Sequence, residues 1–228
     1  MLYANGHKVC PVIEVKSGYQ TKNAYFTENV FTSVDSNGKL TSSETTRGDL
    51  VFTGFKDVGD ECFSEFLYDI WTSVASDNVI FKDLLYISGE EAFSYAFAGC
   101  PIKNLSFPLL EEITGYRAFE SACNSSDVEV LLLPRLSRLY GSEVFYSCLN
   151  SCKKITDIYF NSLTSTSFGS NTDQFSWIFD YRTAEDSGTC TIHFPSNLES
   201  TIQGLIGYPY FGGQSGRIVL AYDLPATS

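Results

Sequence analysis

The chain is poor in positive charge and has no long hydrophobic run. It carries 15 Lys and Arg against 27 Asp and Glu, for a net charge of -12 over 228 residues. Phosphate recognition needs clustered cations, so this composition argues against a nucleic-acid partner. No apolar run reaches the roughly 18 residues of a membrane helix, so we expect no membrane insertion. Residues 1–9 lack an apolar core after a basic segment, so we expect no secretory signal peptide.

Histidine is nearly absent, which limits nucleophilic catalysis. The two histidines are His7 and His193, and Cys190 precedes His193 by three residues. On a strand this spacing places the two side chains on opposite faces, which makes a poor nucleophile–base pair. We therefore expect no Cys/His enzyme.

Other motifs for catalysis or ligand binding are also missing. The adjacent acids at 90–91 and 111–112 are more typical of solvated turns than of two carboxylates facing each other about 5–10 Å apart, so a glycan hydrolase is the weaker alternative. The glycine-rich segment 204–216 lacks the Gly-Lys-Ser/Thr ending of a phosphate loop, and the turn at 35–38 lacks a full calcium pattern. We expect no enzyme activity, no cofactor and no metal.

The cysteines do not have the paired spacing of a zinc site. There are seven, so at least one is unpaired within a monomer. Because free cysteine behaves as a small buried hydrophobe, we expect most of them in the core, with disulfides as the alternative.

What the chain does contain is a repeat. Residues 84–93, 110–119 and 136–145 align at a spacing of 26 residues. One column of the alignment holds glycine and another holds phenylalanine: Gly89, Gly115, Gly141; Phe93, Phe119, Phe145. A period of this length predicts a stack of units, none of which can bury its apolar face alone.

Each unit contains a short segment with strand-like alternation. Seven such segments occur along the chain: 49–52, 78–81, 104–107, 130–133, 157–160, 191–194 and 217–220. Prolines after two of them, Pro108 and Pro134, end the strand because proline cannot continue a hydrogen-bond ladder. The longer interval before 191 predicts a loop insertion between Gly169 and Gly188.

Between strands the period changes. Ala92, Phe93, Ala96 and Phe97 form one apolar stripe that recurs in the next two units, which predicts a short helix or 3₁₀ turn. We expect the glycine three residues earlier to permit a tight turn or a positive φ.

These units resemble the leucine-rich repeats of the BspA (Treponema pallidum) type, whose motif is Pro-x-Leu-x-x-Ile-x-x-x-Ala-Phe-x-x-Cys. The matching residues are Pro108, Leu110, Ile113, Ala118, Phe119 and, one place late, Cys123; then Pro134, Leu136, Leu139, Val144, Phe145 and Cys148; and, without the proline, Leu84, Ile87, Ala92 and Phe93.

The resemblance implies an α/β repeat solenoid: a right-handed leucine-rich-repeat coil with one short strand and one short helix or 3₁₀ turn per ~26-residue repeat, about six to seven coils in all. It also implies binding or adhesion at a cell surface, or association with phage, without a reaction.

Two parts of the chain depart from the repeat. Residues 1–48 are expected to form a β-rich segment, with a strand at 8–15 and a hairpin at 30–41 turning at Asn37-Gly38. This segment either caps the solenoid or anchors it to an oligomer or larger assembly. The solenoid then occupies 49–228, with a modified terminal coil at about 195–228.

The outer face of the predicted strands is the candidate binding surface, because its column through 51, 80, 106, 132, 159, 193 and 219 is unusually apolar. The candidate site residues are Ile80, Asn104, Ser106, Val130, Leu132, Asp157, Tyr159, Thr191 and His193. The expected partner is a protein or glycan, and the alternative function is that of a structural subunit of a phage tail or surface appendage. The sequence leaves the compartment open, with an extracellular, cell-surface or virion location expected.

Overall fold

The structure is a computed structural model that describes residues 56–66, 78–179, 189–212 and 218–227, together with short strands before residue 76. The strands are β1 (Leu2–Ala4), β2 (His7–Cys10), β3 (Tyr25–Phe26), β4 (Thr46–Arg47), β5 (Leu50–Thr53), β6 (Asp57–Val58), β7 (Val74–Ala75), β8 (Asn78–Phe81), β9 (Tyr86–Ile87), β10 (Asn104–Ser106), β11 (Glu112–Ile113), β12 (Val130–Leu132), β13 (Arg138–Leu139), β14 (Asp157–Tyr159), β15 (Cys190–Pro195) and β16 (Ile218–Leu224). The described part of the chain has one helix, α1 (Glu199–Gln203). That helix has neither the length nor the apolarity needed to cross a bilayer.

The largest sheet has eight strands in the order β16-β15-β14-β12-β10-β8-β5-β3. Neighbouring strands from β5 to β16 are all parallel. Up to β15 each repeat continues the register of the one before it, whereas β16 pairs two residues further along than the repeat spacing predicts. Each of the seven predicted strand segments falls on one of these parallel strands. The chain is a parallel β-solenoid of about five turns with almost no helix, so the finer expectation of six to seven α/β coils is not confirmed.

A second, four-stranded parallel sheet lies on another side of the coils, in the order β13-β11-β9-β6. Asp57, Tyr86, Glu112 and Arg138 pair in one row across it. Each of its strands has two residues, which is too short for period-two alternation to show in the sequence. This sheet could therefore not be predicted from the sequence.

The third side of each coil consists of consecutive turns, so the expectation of a short helix or 3₁₀ segment there is wrong. The Phe93 N–H donates to the Ala118 carbonyl of the next coil at 2.8 Å, whereas the Ser94 N–H donates back to Glu91 at 2.9 Å. This alternation continues along the segment and repeats in the next coil. An α-helix would need every N–H for bonds within its own coil, and here every second one is used between coils.

The glycine column has a different role from the one expected. None of Gly89, Gly115 and Gly141 has a positive φ. A Cβ at any of these three positions would instead overlap backbone atoms of the preceding coil, whereas a Cβ at Gly59 would meet nothing within 4 Å. Glycine is required because successive coils approach too closely for a side chain.

The core lies between the three sides and contains rows of stacked phenylalanines. Phe63, Phe93, Phe119, Phe145 and Phe175 stack in sequence with ring centroids 5.0–5.5 Å apart. A second row packs against the first edge to face, as at Phe107 and Phe119, whose centroids are 5.3 Å apart. The expectation that cysteines belong to the core is confirmed for Cys100, Cys123, Cys148, Cys152 and Cys190, which are buried.

Both ends of the described chain differ from the central coils. At the start, β1 pairs with β2, and β3 extends the large sheet by antiparallel pairing with β5. Strand β2 begins one residue before the predicted 8–15 strand, and the predicted hairpin at 30–41 lies outside the described residues. At the other end, α1 leads into turns in which Gly207 and Gly212 have φ values of +77° and +83°.

Candidate functional site

The nine predicted site residues all lie on the outer face of the large sheet. Their side chains are half-buried, whereas the strand residues between them, such as Leu105, Leu131, Ile158 and Ile192, are fully buried. Alternation along each strand produces this pattern, because successive side chains point to opposite faces. The structure therefore brings the predicted residues together on one surface.

The outer side chains form two rows along the solenoid axis. One row is Ile80, Ser106, Leu132, Tyr159, His193 and Ala221; the other is Asn78, Asn104, Val130, Asp157, Thr191 and Val219. The prediction that Val219 lies beside His193 is wrong by two residues, because His193 pairs with Ala221. Strand β16 pairs further along the chain than the repeat spacing predicts.

A polar contact between side chains ties neighbouring coils together near the first strands of this face. The Asn104 Nδ2 donates a hydrogen bond to Asn78 Oδ1 at 2.7 Å, so the two amides form a short ladder. Ser106, in the adjacent row, separates Ile80 from Leu132. The apolar part of the face is therefore concentrated on β12 and β14, at Val130, Leu132 and Tyr159.

A cluster of ionisable side chains spans β14, β15 and β16. The His193 ring stacks on Tyr159, with centroids 4.4 Å apart and planes 5° from parallel. Its Nε2 lies 3.0 Å from Asp157 Oδ1, and its Nδ1 lies 2.9 and 3.0 Å from the two carboxylate oxygens of Asp223. The predicted separation of Cys190 from His193 is confirmed, since Cys190 is buried and His193 lies on the outer face.

The carboxylates change the protonation of this cluster. Burial lowers the pKa of His193, but hydrogen bonds to Asp157 and Asp223 and their negative charges outweigh it, so the pKa is raised. For Asp157 burial raises the pKa, and hydrogen bonds with Thr156 and His193 outweigh that effect, so the pKa is lowered. The pKa of Tyr159 is raised by burial and by both carboxylates. Asp223 is the member of the cluster that the repeat spacing does not predict, because that spacing gives the wrong register for β16.

A second charged cluster lies on the turn side. Arg117 Nε donates to Glu143 at 2.7 Å, and its Nη1 lies 3.4 Å from Glu120. The guanidinium carbon sits 5.1 and 4.3 Å from the ring centroids of Tyr116 and Tyr146. Arg117 therefore bridges the two carboxylates and is held by two aromatic rings.

Glu112, from one of the acidic pairs that suggested a hydrolase, is paired with a cation. Glu112 accepts a hydrogen bond from Arg138 Nε at 2.6 Å on the second sheet. Burial raises the pKa of Glu120, an effect that Arg117 opposes, but Arg117 stands between this carboxylate and Glu143. A shallow depression beside α1 is lined by four uncharged polar residues and a single carboxylate, Glu199. Among the residues that the structure describes, no three histidine, cysteine or acidic side chains are grouped to hold a metal ion.

Comparison with known proteins adds no further assignment. No protein-family model, curated protein or solved structure matches this chain.

Proposed function

We propose that this protein is a non-enzymatic binding module that recognises a protein partner through the outer face of its large sheet. The observation that carries the proposal is the apolar patch formed by Val130, Leu132 and Tyr159, which no described segment of the chain covers completely. Half-buried aliphatic and aromatic side chains gathered on one surface are typical of an interface.

Rigidity of the scaffold supports this proposal. The side chains beneath the patch are almost wholly buried, with Leu131 1% and Ile158 0% exposed. The backbone of every central coil is hydrogen-bonded to both neighbours. A surface held in this way loses little conformational entropy when it binds, so a larger share of the contact free energy appears as affinity.

The side-chain arrangement favours a protein over a glycan. Tyr159 and His193 stack on each other, so each uses one ring face inside the protein. A sugar that stacks on an aromatic residue needs an accessible ring face. Aliphatic groups such as Leu132 and Val130 match the apolar side chains of a protein instead.

We also propose that the repeats belong to the BspA-type leucine-rich-repeat family. Support comes from the three motif copies in register and from the strand at the start of each unit. Adhesion or assembly on a cell or virion surface is the biological setting that this proposal implies.

The test is to measure binding of the full chain to arrays of surface proteins and glycans, followed by two variants on the patch. We expect Leu132→Lys and Tyr159→Ala each to weaken binding to an identified protein by at least about tenfold. Tyr86→Ala is the matched control, since Tyr86 is also a strand tyrosine with an accessible side chain but lies on the second sheet. The proposal is wrong if binding is confined to glycans, or if the two patch variants bind as well as the control.

A further inference from the structure

His193 joins the last three strands of the large sheet through its side chain. Asp157 on β14 contacts Nε2, and Asp223 on β16 contacts Nδ1 with both of its oxygens. The backbone hydrogen bonds of β15 connect the same strands. The imidazole therefore forms a second connection between β16 and the rest of the solenoid.

The hydrogen-bond geometry selects one protonation state of the ring. Both ring nitrogens face carboxylate oxygens at 2.9–3.0 Å, and an ionised carboxylate can only accept. Neutral imidazole has one N–H, so one nitrogen would direct its lone pair at a carboxylate. The imidazolium ion has two N–H groups and satisfies both contacts.

The groups around the ring all favour this cation. Among the described residues, the titratable side chains facing His193 are Asp157 and Tyr159 from β14 and Asp223 from β16. The His193 side chain is 14% exposed, so water has little access to the ring and only partly screens these contacts. The raised pKa of His193 and the lowered pKa of Asp157 agree with the geometry.

We propose that His193 is a proton-dependent clamp that fastens β16 to the solenoid and loosens it when the ring loses its proton at higher pH. Strand β16 is the element that responds, because it is the last strand of the sheet and has one strand neighbour among the described residues. Strand β14 is held on both sides, by β12 and by β15. Local opening therefore begins at β16.

The direction of the pH effect follows from the sign of the shift. The pKa of His193 is raised above its ordinary 6.5, so the clamp contributes fully below that pH and is lost as the pH rises through the folded-state value. The lowered pKa of Asp157 limits the clamp at acid pH. The stabilisation from ionised Asp157 is fully present above its ordinary pKa of 3.8 and is lost as the pH falls through its folded-state pKa. The clamp is strongest in the weakly acidic range between these limits.

The first measurement needs no variant. Nuclear magnetic resonance titration of the imidazole signals in the full chain gives the pKa of His193, and Asp223→Asn assigns its cause. We expect the pKa of His193 to lie above 6.5 in the wild type and to fall in Asp223→Asn. A wild-type pKa at or below 6.5 would overturn the proposal.

The second measurement follows β16 by hydrogen exchange at weakly acidic and weakly alkaline pH, corrected for intrinsic exchange rates. We expect protection of the Ile218–Leu224 amides to fall at least about tenfold at the higher pH, while amides of β10 and β12 change little. In His193→Gln, which cannot carry a positive charge, protection should be low at both pH values.

Lys154→Gln is the matched control. Lys154 also forms an ion pair with the preceding coil, through Asp127 at 2.9 Å, but no imidazole takes part in that pair. Hydrogen exchange of the β16 amides in Lys154→Gln should therefore respond to pH as it does in the wild type. An equal pH response in His193→Gln and the wild type, or an equal loss of protection in all strands, would contradict a clamp specific to β16.

Discussion

Replacing Gly115 by alanine should separate two coils of the solenoid. The added Cβ would overlap the carbonyl group of Gly89 and approach the amide nitrogen of Glu90 to 3.4 Å. These are backbone atoms in the middle of the stack, so no side-chain rotation can remove the overlap. The two coils must move apart by about 1 Å before the contact is normal.

The cost follows from the contacts around the glycine. Three hydrogen bonds between the coils surround it: Thr114 to Ile87 at 3.0 Å, Gly115 to Ile87 at 3.3 Å and Glu91 to Tyr116 at 2.9 Å. Each contributes about 0.5–1.5 kcal/mol, and overpacking of a rigid site costs about 1–3 kcal/mol. We therefore expect Gly115→Ala to lower the free energy of unfolding by about 3–7 kcal/mol.

Gly59→Ala is the matched control in the same column. A Cβ there meets no atom within 4 Å, so the lower unfolded-state entropy of alanine should leave stability unchanged or raise it by up to about 1 kcal/mol. Urea unfolding followed by circular dichroism compares the two variants with the wild type. Equal effects of the two substitutions, or a neutral Gly115→Ala, would refute the close-approach explanation of the glycine column.

Three further substitutions or measurements test the coil interior and its turns. Phe119→Ala should cost about 3–5 kcal/mol in urea unfolding, because this buried ring stacks on the phenylalanines of both neighbouring coils at 5.1 and 5.5 Å. Ser125→Gly should stabilise the protein by about 0.5–1 kcal/mol, because Ser125 has a φ of 56° at a position where the preceding coil has Gly99. The Cys123 thiol should react with an aromatic disulfide reagent only after unfolding, since a hydrogen bond to Cys148 and burial raise its pKa.

Each of these expectations has a clear contrary result. If Phe119→Ala lowers the free energy of unfolding by less than about 2 kcal/mol, the neighbouring phenylalanine rows must collapse into the cavity that the substitution leaves. If Ser125→Gly is less stable than the wild type, the hydrogen bond from the Ser125 hydroxyl to Asn124, at 2.9 Å, contributes more free energy than the backbone strain costs. Labelling of Cys123 at the rate of an exposed thiol would contradict its burial.

Much of the large sheet could be predicted from the sequence. Leu105, Leu131 and Ile158 occupy inward positions because alternation and the repeat spacing are local properties of the chain. The nine candidate residues of the outer face follow from the same alternation. The register of β16 could not be predicted, because it depends on how the terminal strand packs and not on the repeat.

The role of the glycine column could not be deduced either. Gly115 in isolation is compatible with a turn, a positive φ or a close contact. Only the position of the Gly89 carbonyl in the preceding coil distinguishes these possibilities. The same applies to Asp223, which is 30 residues from His193 and meets it through β15–β16 pairing.

The sequence by itself determined the period, the position of the strands and the residues that point inward, because these depend on the order of apolar and polar side chains. The tertiary structure decided what lies between the strands. Alternate N–H groups, such as that of Phe93, bond to the next coil, so turns replace the expected helix. Contacts between coils also place His193 between the carboxylates of Asp157 and Asp223, and no property of a single repeat specifies that arrangement.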